Sequence, residues 1–433
     1  MTVAERKPRR RIFGWLLLLA GLALAWPAYR MFEPVLTWSS GWQPLPADAA
    51  IPHGTGVADV AWSGVAVRAD EQLRDARSRL QAPALSAAIM IDGKRVWAAA
   101  TGYADLEQAR PATIDSIFRL GSTSKAINAL AMARLIDSGK LDIDRSVRTY
   151  LPDLPATYDR VTTRLAVSHT AGIPDYGLCL CFPIWEHLNR RHFDSVRTSL
   201  HVFEERPLLF VPGEAFHYSS YSANVVGAVV EAAAQRPYLA WVEEGVLQPL
   251  GMRHTRADLA GAAIPERVSF YDITENRYKP AEPVDNSIRY PSGGLLSTPS
   301  DILLVGNAFL GGDFLAQGTR QQLLTRQKLR DGSDNPQGYA LGIRVFDDKK
   351  LFDGRVQTRF YSHHGTAVGS TSYFGVYPEY GLVVSVMMNK GQENLDALAE
   401  EANRLVELFI AEKLRRGNPG DAFVAPGAPA APN

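Results

Sequence analysis

Near the C-terminus, Leu395, Leu398, Ala402, Leu405, Phe409 and Ile410 recur every three or four positions. That is the period of one helical face, and Asn394 ahead of it predicts an N-cap. Upstream the pattern changes. "YALGIRVF", "TRFYSHHG", "STSYFGVYP" and "GLVVSVMMN" are short β-rich runs with turn residues between them, and they predict four strands. Toward the other end, a helix is predicted over Arg68–Leu80. It is followed by "ALSAAIMID" and "RVWAAATGYA" around the turn Asp92–Lys94, a hairpin signal. The middle, about residues 115–285, reads as mostly helical with long connections. Strands from both ends and helices from the centre predict an α+β fold: an antiparallel sheet whose first and last strands close on each other, flanked by helices, with a helical insertion.

The termini read differently. "ERKPRRR" (Glu5–Arg11) precedes "IFGWLLLLAGLALAW" (Ile12–Trp26), fifteen residues without a charge. A basic flank before an apolar run predicts export, by a signal peptide or an uncleaved anchor over residues 1–30. The run is short for a span, which needs about 20 residues. "ALA" at Ala23–Ala25 offers a cleavage site and "RRIF" at Arg10–Phe13 a faint twin-arginine pattern. An anchor would make the inner membrane a partner and place the rest of the chain in the periplasm. Residues 31–63 read as an irregular linker or strap, and 413–433, ending in "GNPGDAFVAPGAPAAPN", as a disordered Pro/Ala tail. The domain is therefore expected over 64–412.

Composition adds few constraints. The chain has 433 residues and a formal net charge of zero, so it has no global electrostatic footprint for nucleic acid. Its two cysteines, Cys179 and Cys181, are too close and too few for a zinc site; a small disulfide and free buried thiols both remain open. The nine histidines suggest no metal cluster. There is no Gly-x-Ser-x-Gly elbow, no His-Glu-x-x-His, no Walker loop and no dinucleotide fingerprint.

One stretch carries candidate chemistry. In "FRLGSTSKAINALAMARLIDSGK", Ser122 lies three residues before Lys125, at the start of a helix whose apolar face is Ile127, Leu130, Ala131, Leu135 and Ile136, with Gly139 as its stop. Residues three apart share a helix face, so hydroxyl and amine can meet. A desolvated lysine can take a serine proton, and a helix start favours an oxyanion. With 26 Ser and ten Lys, about 0.6 such tetrapeptides arise by chance, so alone the motif reads better as a capped helix with an ordinary lysine.

Further segments change that balance: "LAVSHTAGIPDY", "GEAFHYSSYSANVVGAVVEAA", "YPSGGLLSTPSDILLVGNAFL" and "YSHHGTAVGSTSYFGVYPEYGLVVSVMMNK". In this order with Ser122 and Lys125, the chain from about Gly64 to Ala411 resembles the serine β-lactamase-related hydrolases: class C β-lactamases, D-alanyl-D-alanine carboxypeptidases and esterases of one fold. It is most similar to their mitochondrial lactamase-like branch and its bacterial relatives. The resemblance implies a β-lactamase/transpeptidase-like fold and no cofactor. Ser122 would be the acylated nucleophile, Lys125 its proton acceptor and Tyr218 the proton shuttle. Ser220 would stand where the family often has Asn. His363, His364 and Gly365 would form the strand element lining the site, with His363 holding the tyrosine and the substrate, and His364 replacing a small hydroxyl residue and narrowing the pocket. Backbone N–H groups of Ser122 and Thr366 would form the oxyanion hole.

The expected activity is hydrolysis of a peptide or small amide or ester through an acyl-enzyme. A true β-lactamase is the alternative within the class. A membrane-tethered, non-catalytic scaffold or assembly protein on the same fold is the alternative outside it, and a homo-oligomer is open in either case.

Overall fold

A computed structural model describes residues 8–47, 50–52, 56–391 and 394–417. Residues 1–7, with the start of the basic cluster, and most of the expected tail, 418–433, lie outside the described residues.

The chain begins with α1 (Pro8–Leu36). Then follow α2 (Ser63–Leu80) and the hairpin β1 (Ala84–Ile91) and β2 (Lys94–Asp105). The middle holds α3 (Ser124–Asp137), α4 (Ser220–Ala234) and α5 (Pro299–Leu310). Four strands, β3 (Arg344–Leu351), β4 (Val356–Ala367), β5 (Ser370–Tyr377) and β6 (Leu382–Met388), lead to the final helix α6 (Leu395–Gly417).

The main sheet runs β3-β4-β5-β6-β1-β2 and is antiparallel throughout. Its closure is the one expected: the last strand pairs with the first, Leu382 opposite Ile91 through Met388 opposite Leu85. Both faces are covered, so alternate residues enter different cores. Ala84, Ala88 and Met90 of β1 join α3, α4 and α5 on one side. Leu85, Ala87, Ile89 and Ile91 join α2 and α6 on the other. There the Trp62 and Trp97 rings each lie 5.8 Å from Phe409, and Glu401 of α6 accepts two hydrogen bonds from Arg79 of α2.

Several boundaries differ from the sequence reading, each because tertiary contacts extend an element. The first domain helix starts at Ser63, not Arg68, because Val65 and Ala66 pack into the core. The last continues to Gly417, where a tail from Lys413 was expected. Lys413 donates to the Asp92 carboxylate at 2.7 Å and to the Tyr380 carbonyl at 2.8 Å. The Asn394 cap is present, accepting from the Asp396 N–H at 3.1 Å. The expected linker is strapped down: Gln43–Pro44 pairs with Arg277–Tyr278, and Val57–Ala58 pairs with Trp97–Ala98 at the sheet edge.

The helix α1 is largely uncovered, with Trp15, Leu16, Leu19, Leu22, Leu24 and Trp26 exposed. Its end docks through the Phe32–Trp185 ring contact and the Glu33–Arg190 ion pair. Among the described residues no helix is long and apolar enough to cross a membrane. Cys179 and Cys181 are joined as a disulfide.

Candidate active site

Ser122 does not cap a helix. It sits in a one-turn 3-10 segment, Gly121–Thr123, that runs into α3, and neither cap position there has a side-chain cap bond. The Ser122 hydroxyl instead accepts a hydrogen bond from Lys125 Nζ at 3.0 Å. Lys125 is 2 % exposed because α3 is enclosed on every side, not along one apolar face: Asn128, Ala129 and Ala133 are buried as well. Its other partners are the Ser292 carbonyl at 2.8 Å and the face of the Tyr218 ring, whose centroid is 4.9 Å from Nζ. Among the described residues no carboxylate pairs with it.

Two glycines allow β4 to lie directly against the Ser122 turn. Gly121 has φ +52°, and a Cβ there would fall 2.5 Å from the Thr366 carbonyl oxygen and 2.8 Å from the Thr366 nitrogen. A Cβ on Gly365 would fall 1.9 Å from the Leu120 carbonyl oxygen. No side chain fits at either contact. Ser372 of β5 pins the turn further, donating to the Leu120 carbonyl at 2.6 Å and sharing a hydrogen bond with the Thr123 hydroxyl at 2.8 Å. Ser122, Lys125 and the Gly365–Thr366 backbone therefore meet at one place. A separate cavity of about 680 Å³, lined by residues such as Arg320, Arg326, Arg359 and Tyr361, contains none of them.

Tyr218 precedes α4, whose N-cap is Ser219: its hydroxyl accepts from the Ser222 N–H at 3.0 Å and donates to the Pro174 carbonyl at 2.8 Å. Ser220 is buried, and its N–H donates to Asp175 at 2.9 Å.

The two histidines of β4 separate. His363 is fully buried on the Ser122 side. Its Nδ1–H donates to the His364 carbonyl at 2.6 Å, and its Nε2 accepts from the Tyr339 hydroxyl at 2.8 Å. Burial, then Arg344 and Lys125, hold its pKa well below the usual histidine value, which keeps it neutral. Both ring nitrogens of His363 are thus taken, and the tyrosine it hydrogen-bonds is Tyr339, where the resemblance implied that it holds Tyr218. His364 is not in the site. Neighbours on a strand point to opposite faces, and its ring meets Tyr373 edge-on at 4.9 Å, near Leu395 and Asp396 of α6. The expectation that a bulky imidazole narrows the pocket is corrected by that geometry.

Three side chains at the site were not singled out from the sequence. His169 lies within "LAVSHTAGIPDY"; its ring is 4.4 Å from Tyr218 and 4.5 Å from Tyr339. Tyr339 and Arg344 lie within "YALGIRVF", read only as a strand. The Arg344 guanidinium stands 5.7 Å from the Tyr218 ring centroid and 5.6 Å from that of Tyr339, and donates to Gln337 at 2.9 Å. Among the described residues it pairs with no carboxylate. Patterns of spacing could not reveal these three, since each is a common residue whose neighbours are distant in sequence.

A match to the family model described as Beta-lactamase covers residues 69–408, which include Ser122, Lys125, Tyr218 and His363. The chain belongs to the beta-lactamase family. Its relatives in this family include the mitochondrial serine beta-lactamase-like protein LACTB of Homo sapiens, 28% identical over 77% of this chain and 78% of that protein. Among solved structures, a D-amino acid amidase from Ochrobactrum anthropi superposes with TM-score 0.68 at 21% identity, covering 81% of this chain and 99% of that one. An octameric penicillin-binding protein homologue from Pyrococcus abyssi superposes with TM-score 0.65 at 20% identity, covering 79% and 77%. These likenesses support the fold class and a β-lactamase-related serine hydrolase. Among the described residues no group of three or more His, Cys, Asp or Glu is placed to hold a metal ion.

Proposed function

We propose that the protein is a serine acyl hydrolase that cleaves amides or esters through an acyl-enzyme on Ser122, outside the cytoplasm. The observation that carries this reading is the buried Lys125 amine 3.0 Å from the Ser122 hydroxyl, with neutral acceptors and an aromatic face around it. Ser122 Oγ attacks the substrate carbonyl as its proton passes to Lys125 Nζ. The oxyanion that forms is received by the N–H groups of Ser122 and Thr366, a reading supported by the close approach of Gly121 to the Thr366 backbone. The Tyr218 hydroxyl relays the proton to the leaving amine or alcohol, and the C–N or C–O bond breaks. A water molecule, giving up its proton by the same route, then hydrolyses the ester to Ser122.

Arg344 supports a substrate that bears a carboxylate. A guanidinium over two tyrosine rings and without an acidic partner matches a planar anion in charge and shape. Export is supported by the basic flank and by the apolar side chains that α1 leaves uncovered.

A fluorophosphonate probe read by intact mass tests the core of the proposal. The wild type should gain one adduct and Ser122→Ala none; labelling that survives in Ser122→Ala sinks it. Rapid cephalosporin turnover would select a true β-lactamase. The octameric homologue keeps an assembly role in view, which would be favoured if a cellular phenotype survived Ser122→Ala.

A further inference from the structure

His169 is buried beside the site and has no part in the steps above. Its backbone lies at φ +61°, the left-handed region that non-glycine residues visit rarely and that persists only where the surroundings enforce it. The surroundings are Tyr218 and its neighbours. The His169 carbonyl accepts the N–H of His217 at 2.9 Å, and His169 Nδ1 accepts the N–H of Ser219 at 3.2 Å. One residue therefore holds the chain on both sides of Tyr218. Its ring also packs at 4.4 Å against the Tyr218 ring, tilted 35°, and edge-on to Tyr339 at 4.5 Å.

We propose that His169 is a positioning residue for Tyr218, fixing the phenol by gripping the backbone on both sides of it and packing against its ring. The proposal rests on the reading of Tyr218 as the proton relay.

The imidazole must be neutral for this, because Nδ1 can accept from Ser219 only when it carries no proton. Burial above all, with the Arg344 guanidinium nearby, holds His169 well below the ordinary histidine pKa. The strained backbone also has a purpose here: in the left-handed conformation, the carbonyl and the ring of one residue reach two N–H groups two positions apart.

Three variants separate positioning from structure. His169→Asn places an amide oxygen near the position of Nδ1 and tolerates a positive φ. His169→Phe keeps a ring but no acceptor, and His169→Ala keeps neither. Loss of a positioned acid hurts poor leaving groups most, so each variant is assayed on a p-nitrophenyl ester and on the ethyl ester of the same acid.

For His169→Phe, kcat/KM, which reports acylation and not the deacylation common to both esters, should fall about 10²-fold on the ethyl ester and less than about 5-fold on the p-nitrophenyl ester. His169→Asn should recover most of the ethyl-ester activity. In a Tyr218→Phe background, His169→Asn and His169→Phe should differ by less than about 3-fold. An equal loss on both esters, no loss on either, or a full His169→Phe effect without Tyr218 overturns the proposal. If His169→Phe and His169→Ala fail to fold, the same ester ratio is read on His169→Asn, which must stay close to wild type for the proposal to stand. Ser122→Ala distinguishes the two levels: turnover surviving there removes the underlying reading, whereas an unequal loss confined to the His169 variants upholds the inference.

Discussion

His363 and His364 are adjacent on one strand and serve different cores. His363 faces Tyr339, Lys125 and the Ser122 turn, where serines, a lysine and close glycine contacts interrupt the apolar packing. His364 faces Tyr373 and the start of α6, on the side where Trp62, Trp97, Tyr377 and Phe409 fill the space. The difference shows a division of labour across one sheet. One face holds polar atoms in fixed geometry, and the other supplies large apolar side chains that keep the strands in register.

Lys125→Ala should have the largest effect on the first face, lowering fluorophosphonate labelling by about 10²–10⁴-fold while the thermal midpoint, measured alongside, confirms a folded chain. If labelling hardly changes, the polar face is not the chemical one. Phe409→Ala probes the second face. It should cost about 3–5 kcal/mol in urea unfolding, because the ring touches two tryptophans, and leave kcat of the folded protein near wild type. A fall in kcat with little loss of stability would erase the division.

The pH dependence sharpens it next. Burial pushes the His364 pKa down to about 4, from an ordinary 6.5. Between these values the unfolded chain binds a proton that the folded chain does not, so stability falls as pH drops through that window. The shift corresponds to about 3 kcal/mol. His364→Thr should flatten the slope of stability against pH between 6.5 and 4 by about one proton, measured by denaturant titration at several pH values, with kcat/KM at pH 7 within a few-fold of wild type. A tenfold loss of kcat/KM would put His364 back in the site. The smallest effect belongs to the partly exposed pair Lys413–Asp92, where Lys413→Ala should cost about 1 kcal/mol or less and less still in high salt.

Much of this was readable from local pattern. The hairpin Ala84–Asp105, three of the four C-terminal strands and the helix capped by Asn394 follow from β-rich runs between turn residues and from a 3.6-residue period, whereas the run read over Tyr339–Phe346 becomes a strand only from Arg344, ending at Leu351. The Ser122–Lys125 pairing was readable too, because a three-residue separation in a helical turn is a local distance. Nothing local marks Gly121. Its need to be glycine comes from Thr366, almost 250 positions away. The enclosure of α3 was likewise underestimated, since alanines around a helix do not announce what packs on them.

The sequence by itself determined most of the elements, the family resemblance and the closeness of Ser122 to Lys125, because each rests on residues close enough to be set by backbone geometry or on several motifs in fixed order. Only the tertiary structure decided which of two neighbouring histidines faces Ser122. Alternation along a strand says that they diverge, while the pairing of β4 with β5 and the packing of α6 choose the direction. It also brought His169, Tyr339 and Arg344 to Tyr218, contacts between segments that no local period connects.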